Sequence, residues 1–276
     1  MRCFFLFLSI AVSASAFSRA ASIEKVSMEP RGEMTRADCY YVNSLSKLRA
    51  VLVICPGTNE SGEEMIEEGE WRKFAADHKI GLLSISFASD IGVLAQGGGY
   101  PMAARGSGAV LLEAVQRVFG RDLPLAIYGF SAGALFASEF ADWAPQCVIA
   151  WSGYAAGEGG LPKSRIKGPP GLLVCGEYDA ARYSSMLAYF KRGRAMGKPW
   201  LWVSLPKTDH VYSPESEVFI RSFLSAVLKQ DGGKPQWVDI DQENAILEED
   251  AGKQPFQTGY LPDVKLLSEW QKLHEP

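Results

Sequence analysis

The sequence predicts an α/β protein: a mainly parallel, doubly wound sheet with helices on both faces and no large cap domain. Short apolar runs alternate with longer amphipathic stretches through most of the chain, which is the rhythm of βαβ units. One glycine-flanked serine, in Gly129-Phe130-Ser131-Ala132-Gly133, stands between such a run and such a stretch. With 276 residues, 47% of them hydrophobic and 22% charged, the chain can fill one sizeable core and has no need of a second.

The elements follow in order. Residues 22–26 and 38–42 form an antiparallel edge, and the runs at 50–54, 82–87, 125–128, 147–151, 172–175 and 201–205 supply the strands behind it. Between them apolar residues recur at three- and four-residue spacing, so each helix turns one stripe to the sheet. These stripes are Trp71, Phe74 and Ala75; Val110, Leu111, Ala114 and Val118; Leu135, Phe136 and Phe140; Leu187, Phe190 and Met196; and Phe219, Phe223 and Val227. Glu63, Glu64, Glu67, Glu68 and Glu70 open the first helix, where negative charge complements the positive end of the helix dipole. After Lys229, Asp231-Gly232-Gly233-Lys234-Pro235 reads as a linker. The tail carries an apolar patch at 237–240 and a terminal helix from about Asp263, with Leu266, Leu267, Trp270 and Leu273 on one side. The expected division is a signal peptide over 1–20, a catalytic-size domain over 21–229 and an appendage packed on it over 230–276.

The amino end sets the compartment. Met1 and Arg2 precede an apolar run over 3–12, and the small residues Ser13 to Ala16, or Ser18-Arg19-Ala20, offer cleavage sites. About ten residues fall far short of the ~20 that span a bilayer, so a secreted or periplasmic protein with no stable membrane insertion is expected. The net charge of −4 and the scattered basic residues leave no footprint for nucleic acid. Cys39, Cys55, Cys147 and Cys175 lie in or beside strand candidates and are read as buried free thiols, since a domain of this size needs no disulfide staples.

The chemistry centres on the glycine-flanked serine. G-x-S-x-G between a strand and a helix is the nucleophile elbow, and its glycines clear the crowded turn. A serine hydroxyl needs a base. Of three histidines, His210 follows the last core strand directly, whereas His78 and His274 are expected at the surface. The imidazole needs a carboxylate to fix its tautomer. The turn after 172–175 offers Glu177 and Asp179, of which Asp179 has the better spacing; Asp209, next to the base, would point elsewhere. A developing oxyanion needs backbone donors: the N–H of Ala132, just after the serine, and that of Thr58 in the loop Cys55-Pro56-Gly57-Thr58-Asn59, where Pro56 has none to offer.

Trp151, Tyr154, Tyr178 and Tyr212 lie next to these loops and are candidates for an aromatic substrate platform. Gln96-Gly97-Gly98-Gly99-Tyr100 and Gly157-Glu158-Gly159-Gly160 lack the strand, spacing and lysine of a phosphate loop and are read as rim loops of the site. No His, Cys and carboxylate cluster has metal-ligand spacing, and no cofactor is expected.

On the elbow, the acid loop and the histidine loop, the chain resembles the α/β-hydrolase superfamily over roughly residues 45–228. Within it the resemblance is to compact secreted esterases related to polyhydroxyalkanoate depolymerases and dienelactone-type hydrolases. The chain departs from many such relatives in having Pro56-Gly57 in place of His-Gly, and Ser131 followed by Ala132-Gly133-Ala134 without paired glycines. The resemblance implies a serine hydrolase acting on a small-molecule or polymeric carboxylic ester through an acyl-enzyme. A peptidase, an acyltransferase or a non-catalytic binding module on the same fold stays open at this point.

Overall fold

The computed structural model describes residues 22–42, 47–67, 69–156, 160–164, 166–229 and 233–275. The expected signal peptide, Glu68, Gly157 to Gly159 and the first part of the linker lie outside the described residues.

Eight strands form the main sheet: β1 (Glu24–Ser27), β2 (Met34–Val42), β3 (Val51–Cys55), β4 (Gly81–Ser89), β5 (Leu125–Phe130), β6 (Val148–Tyr154), β7 (Gly171–Gly176) and β8 (Trp200–Leu205). Their order is β1-β2-β4-β3-β5-β6-β7-β8. The β1–β2 and β2–β4 pairs are antiparallel and all the others parallel. From β3 the chain winds outward to β4 on one side and returns to β5 on the other. The loops leaving β3 and β5 therefore diverge, and a crevice opens at their carboxyl ends.

Successive side chains of a strand face opposite sides, so the sheet builds two cores. Val51, Val53, Leu83, Ile85 and Ile127 lie under α4 (Ser107–Phe119), α5 (Ala132–Trp143) and α6 (Tyr183–Ala195). Leu52, Ile54, Leu82 and Tyr128 lie under α1 (Gly62–Glu67), α2 (Gly69–His78) and α7 (Pro214–Leu228). A short α3 (Ile91–Ala95) follows β4.

Several strands outrun their sequence expectation. β6 continues three residues past 151, because Ser152, Gly153 and Tyr154 are held in register with β5 on one side and β7 on the other. Pairing on both edges overrides the weak strand preference of serine and glycine.

Residues 233–275 fold beside the outer edge of the sheet. β9 (Gln236–Asp239), β10 (Asn244–Ile246) and β11 (Thr258–Leu261) make a small antiparallel sheet in the order β10-β9-β11, with α8 (Glu248–Ala251) between β10 and β11 in the chain and α9 (Leu267–Lys272) after β11. Asp263 starts the last turns by accepting from Lys265 N–H at 3.1 Å. Trp270 is fully buried, and its Nε1 donates to the carbonyl of Trp202 on β8 at 3.2 Å. That bond satisfies a group that an edge strand would otherwise present to solvent. Arg194 of α6, also buried, donates from Nε to Thr258 O at 2.8 Å and lies over the Trp237 ring at 4.5 Å.

Cys39, Cys55, Cys147 and Cys175 are unpaired. Burial pushes the Cys175 thiol up to about 12 and raises the other three as well. Among the described residues no helix is long and apolar enough to cross a membrane.

Candidate active site

β5 ends at Phe130 and α5 begins at Ala132, leaving Ser131 alone at the turn with φ 53° and ψ −119°. A side chain held in such a conformation costs about 1–3 kcal/mol, so the surroundings must enforce it. Ser131 N–H donates to Tyr154 O at 2.9 Å, and Ser131 O accepts from the N–H groups of Ala134 and Leu135 at 3.0 and 3.1 Å. The flanking glycines are steric necessities. A Cβ on Gly129 would lie 2.1 Å from Gly133 O, and one on Gly133 would lie 2.0 Å from Cys55 O.

His210 Nε2 lies 3.1 Å from Ser131 Oγ, and His210 Nδ1 lies 2.8 Å from Asp179 Oδ2. Ser131, Asp179 and His210, three chosen positions from three separate strand ends, thus form one hydrogen-bonded chain. Asp179 is 2% exposed and its other oxygen accepts from Arg182 Nη1 at 3.0 Å. The competing carboxylates turn away: Glu177 accepts from Ser204 Oγ, and Asp209 accepts from the backbone N–H of His210. Gly176 is what lets the acid and histidine loops meet, since a Cβ there would lie 2.2 Å from Thr208 O. Across that approach Tyr178 N–H donates to Thr208 O at 2.9 Å.

Aromatic rings fix the imidazole from one side. Phe130 stacks on His210 with ring centres 5.0 Å apart, and Tyr212 stacks on Phe130 at 3.8 Å. Tyr154 OH donates to Val211 O at 2.5 Å, tying the histidine loop to β6.

Thr58 and Ala132 line one cleft with Ser131. Neither backbone N–H donates to an acceptor among the described residues. The loop carrying Thr58 is braced on every side. Asn59, at φ 58°, exchanges two bonds with the backbone of Ser89, at 2.9 and 3.1 Å. Glu60 accepts from Gly57 N–H, Tyr100 OH donates to Gly57 O, and Arg36 donates to the carbonyls of Asn59 and Glu60.

The aromatic platform is corrected. Trp151 is 1% exposed and packs edge-on against Trp200 in the core, because its place on β6 turns it beneath α5. Tyr154 is fully buried and serves the histidine loop instead. Tyr178 is exposed and does not line the cleft, while Tyr212 borders a separate hollow with Met65, Pro214 and Glu217. The cleft in front of Ser131 is walled by Leu94, the 95–98 segment, Pro101, Leu135 and Arg182. Of these only the glycine-rich segment was expected at the rim; an arginine three residues after the acid was the overlooked signal. His78 and His274 are also corrected, since both are partly buried against aromatic rings, of Phe74 and Trp270, and burial lowers both pKa values. Among the described residues no group of three or more His, Cys, Asp and Glu could hold a metal ion.

No family model matches the chain, and no curated protein matches it. Solved structures do. A hyperthermophilic esterase from the archaeon Pyrobaculum calidifontis superposes with a TM-score of 0.56 at 14% identity, over 75% of this chain and 85% of that one. Carboxyl esterase 2 of the mycorrhizal fungus Tuber melanosporum gives 0.57 at 13% identity, over 78% and 88%. The S-formylglutathione hydrolase of Staphylococcus aureus gives 0.53 at 15%, over 76% and 98%. At such identities the likeness speaks to architecture, and together with the strand order and the strained elbow it establishes that this chain has the α/β-hydrolase fold.

Proposed function

We propose that the protein is an exported serine hydrolase that cleaves carboxylic esters. The observation that carries this reading is the hydrogen-bonded chain from Ser131 through His210 to buried Asp179, mounted on a strained turn at the carboxyl end of the sheet. His210 Nε2 takes the proton as Ser131 Oγ attacks the ester carbonyl, and Asp179 holds the imidazole in the tautomer that can accept it. The backbone N–H groups of Ala132 and Thr58 receive the oxyanion. Collapse breaks the bond to the leaving oxygen, to which His210 returns the proton, and Ser131 is left acylated. Water then attacks the acyl-enzyme with the same base, releasing the acid and restoring the hydroxyl. Export rests on the amino-terminal signal pattern, and the solved esterases of the same fold support the ester reading by likeness of architecture.

Hydrolysis of para-nitrophenyl esters of graded acyl length tests the proposal. Folded wild type is expected to turn over short esters, with Ser131→Ala and His210→Ala at background. A folded wild type that turns over none of them contradicts it. Faster cleavage of amides would move the assignment to a peptidase, and transfer to an added alcohol in preference to water would move it to an acyltransferase.

A further inference from the structure

The hydrolase reading leaves one cleft residue without a task. Among the described residues Arg182 is the only charged side chain lining the cleft in front of Ser131, and no carboxylate lines it. Its Nη1 is committed to Asp179 at 3.0 Å. Its Nε is buried and has no hydrogen-bond partner among the described residues. The guanidinium presents its donors in a planar fork, and the edge formed by Nε and Nη2 is the one that matches a carboxylate with two parallel bonds. Pairing with Asp179 through Nη1 leaves that edge uncommitted. A buried donor without an acceptor is unfavourable where it stands, and an acceptor arriving with the substrate relieves it.

We infer that the ester carries a carboxylate, which the side-on edge of Arg182 receives while Nη1 keeps its bond to Asp179. The inference rests on the proposed hydrolase activity and narrows its substrate class to anionic esters. Arg182 lines the same cleft as Ser131, so a carboxylate held there belongs to the molecule that carries the scissile carbonyl. It could stand on the acyl side, as in the half-ester of a dicarboxylic acid, or on the alcohol. Leu94, Ala95, Pro101 and Leu135 in the same lining offer apolar contact to the carbon chain between them.

The test compares kcat/KM for matched pairs. On the acyl side the pair is the para-nitrophenyl half-ester of glutarate and its methyl-capped diester; on the alcohol side it is acetylated para-hydroxybenzoate and acetylated methyl para-hydroxybenzoate. The anionic member is expected to be preferred in one arm, carried mainly in KM and weakening with added salt. Arg182→Gln is expected to lower the anionic-to-neutral ratio by about tenfold or more, and Arg182→Lys, which keeps charge without the fork, by less. Taking the ratio cancels any loss that arises through Asp179, which would strike both members alike. Gln96→Glu, on the cleft wall and away from the triad, is expected to lower the ratio independently. Preference for the neutral member in both arms, or a ratio that Arg182→Gln leaves unchanged, overturns the inference. Turnover of all four esters absent in folded wild type strikes the hydrolase reading itself, so the two failures are distinguishable.

Discussion

At the carboxyl ends of β3, β5 and β7 the molecule holds polar groups in unfavourable places: a serine at positive φ, a carboxylate 2% exposed, and a braced loop whose Thr58 lines a cleft. At the outer edge by β8 it does the reverse. There Trp270, Val238 and Leu261 are fully buried, Arg194 bonds to Thr258, and Trp270 bonds to the Trp202 carbonyl of the edge strand. The first region concentrates backbone strain and buried polar groups, and the second apolar burial and satisfied hydrogen bonds. One sheet carries both because strand ends supply geometry whereas a strand edge supplies only surface and unpaired backbone groups.

Substitutions in the two regions should therefore separate activity from stability. Ser131→Ala should lower kcat by about 10³–10⁶ while leaving the melting transition in place, measured on the same preparation by ester turnover and calorimetry. At the other edge, Trp270→Ala should destabilise by about 3–5 kcal/mol in urea unfolding, with kcat/KM of the folded fraction within twofold of wild type. Arg194→Met leaves the Thr258 carbonyl without its donor and should cost about 1–3 kcal/mol by the same assay. Ser131→Gly removes the strain at φ 53° and should gain about 1 kcal/mol, partly offset by the extra freedom of glycine in the unfolded chain. A loss of stability on that change would show that the turn is not strained.

The smallest effect is one of pH. His274, packed on Trp270, has its pKa lowered below the usual 6.5, chiefly by burial. The unfolded chain therefore takes up the proton first, and stability should decline as pH falls through about 6.5 toward the folded value. His78 acts in the same direction. His274→Phe should flatten part of that slope in urea midpoints taken between pH 5 and 7, and an unchanged slope would assign it to His78 or to other groups.

The hydrogen-bonded chain of Ser131, His210 and Asp179 was legible because chemistry and sterics narrow its members independently. G-x-S-x-G demands glycines where a Cβ would strike backbone at about 2 Å, and only three histidines were available to serve Ser131. Asp179 was legible against Glu177 from its distance past the strand. The aromatic platform was misread for a reason equally physical. The expected strand ended at Trp151 with Tyr154 on the loop beyond it, but β6 continues to Tyr154 through pairing on both edges, and the two side chains then face opposite cores. The bracing of residues 57–60 by Arg36, Ser89 and Tyr100 depends on contacts between distant parts of the chain, which local pattern does not encode, whereas Arg182, three residues after Asp179, lay within reach of local pattern.

The central claim is that Ser131 is an activated nucleophile, and covalent capture tests it most directly. The protein would be treated with a fluorophosphonate and the adduct located by peptide mass, beside Ser131→Ala and His210→Ala. The account predicts a single adduct on Ser131, absent from the first variant and lost or slowed at least a hundredfold in the second. A folded wild type that takes no label at Ser131, or labelling that persists undiminished without His210, would contradict it.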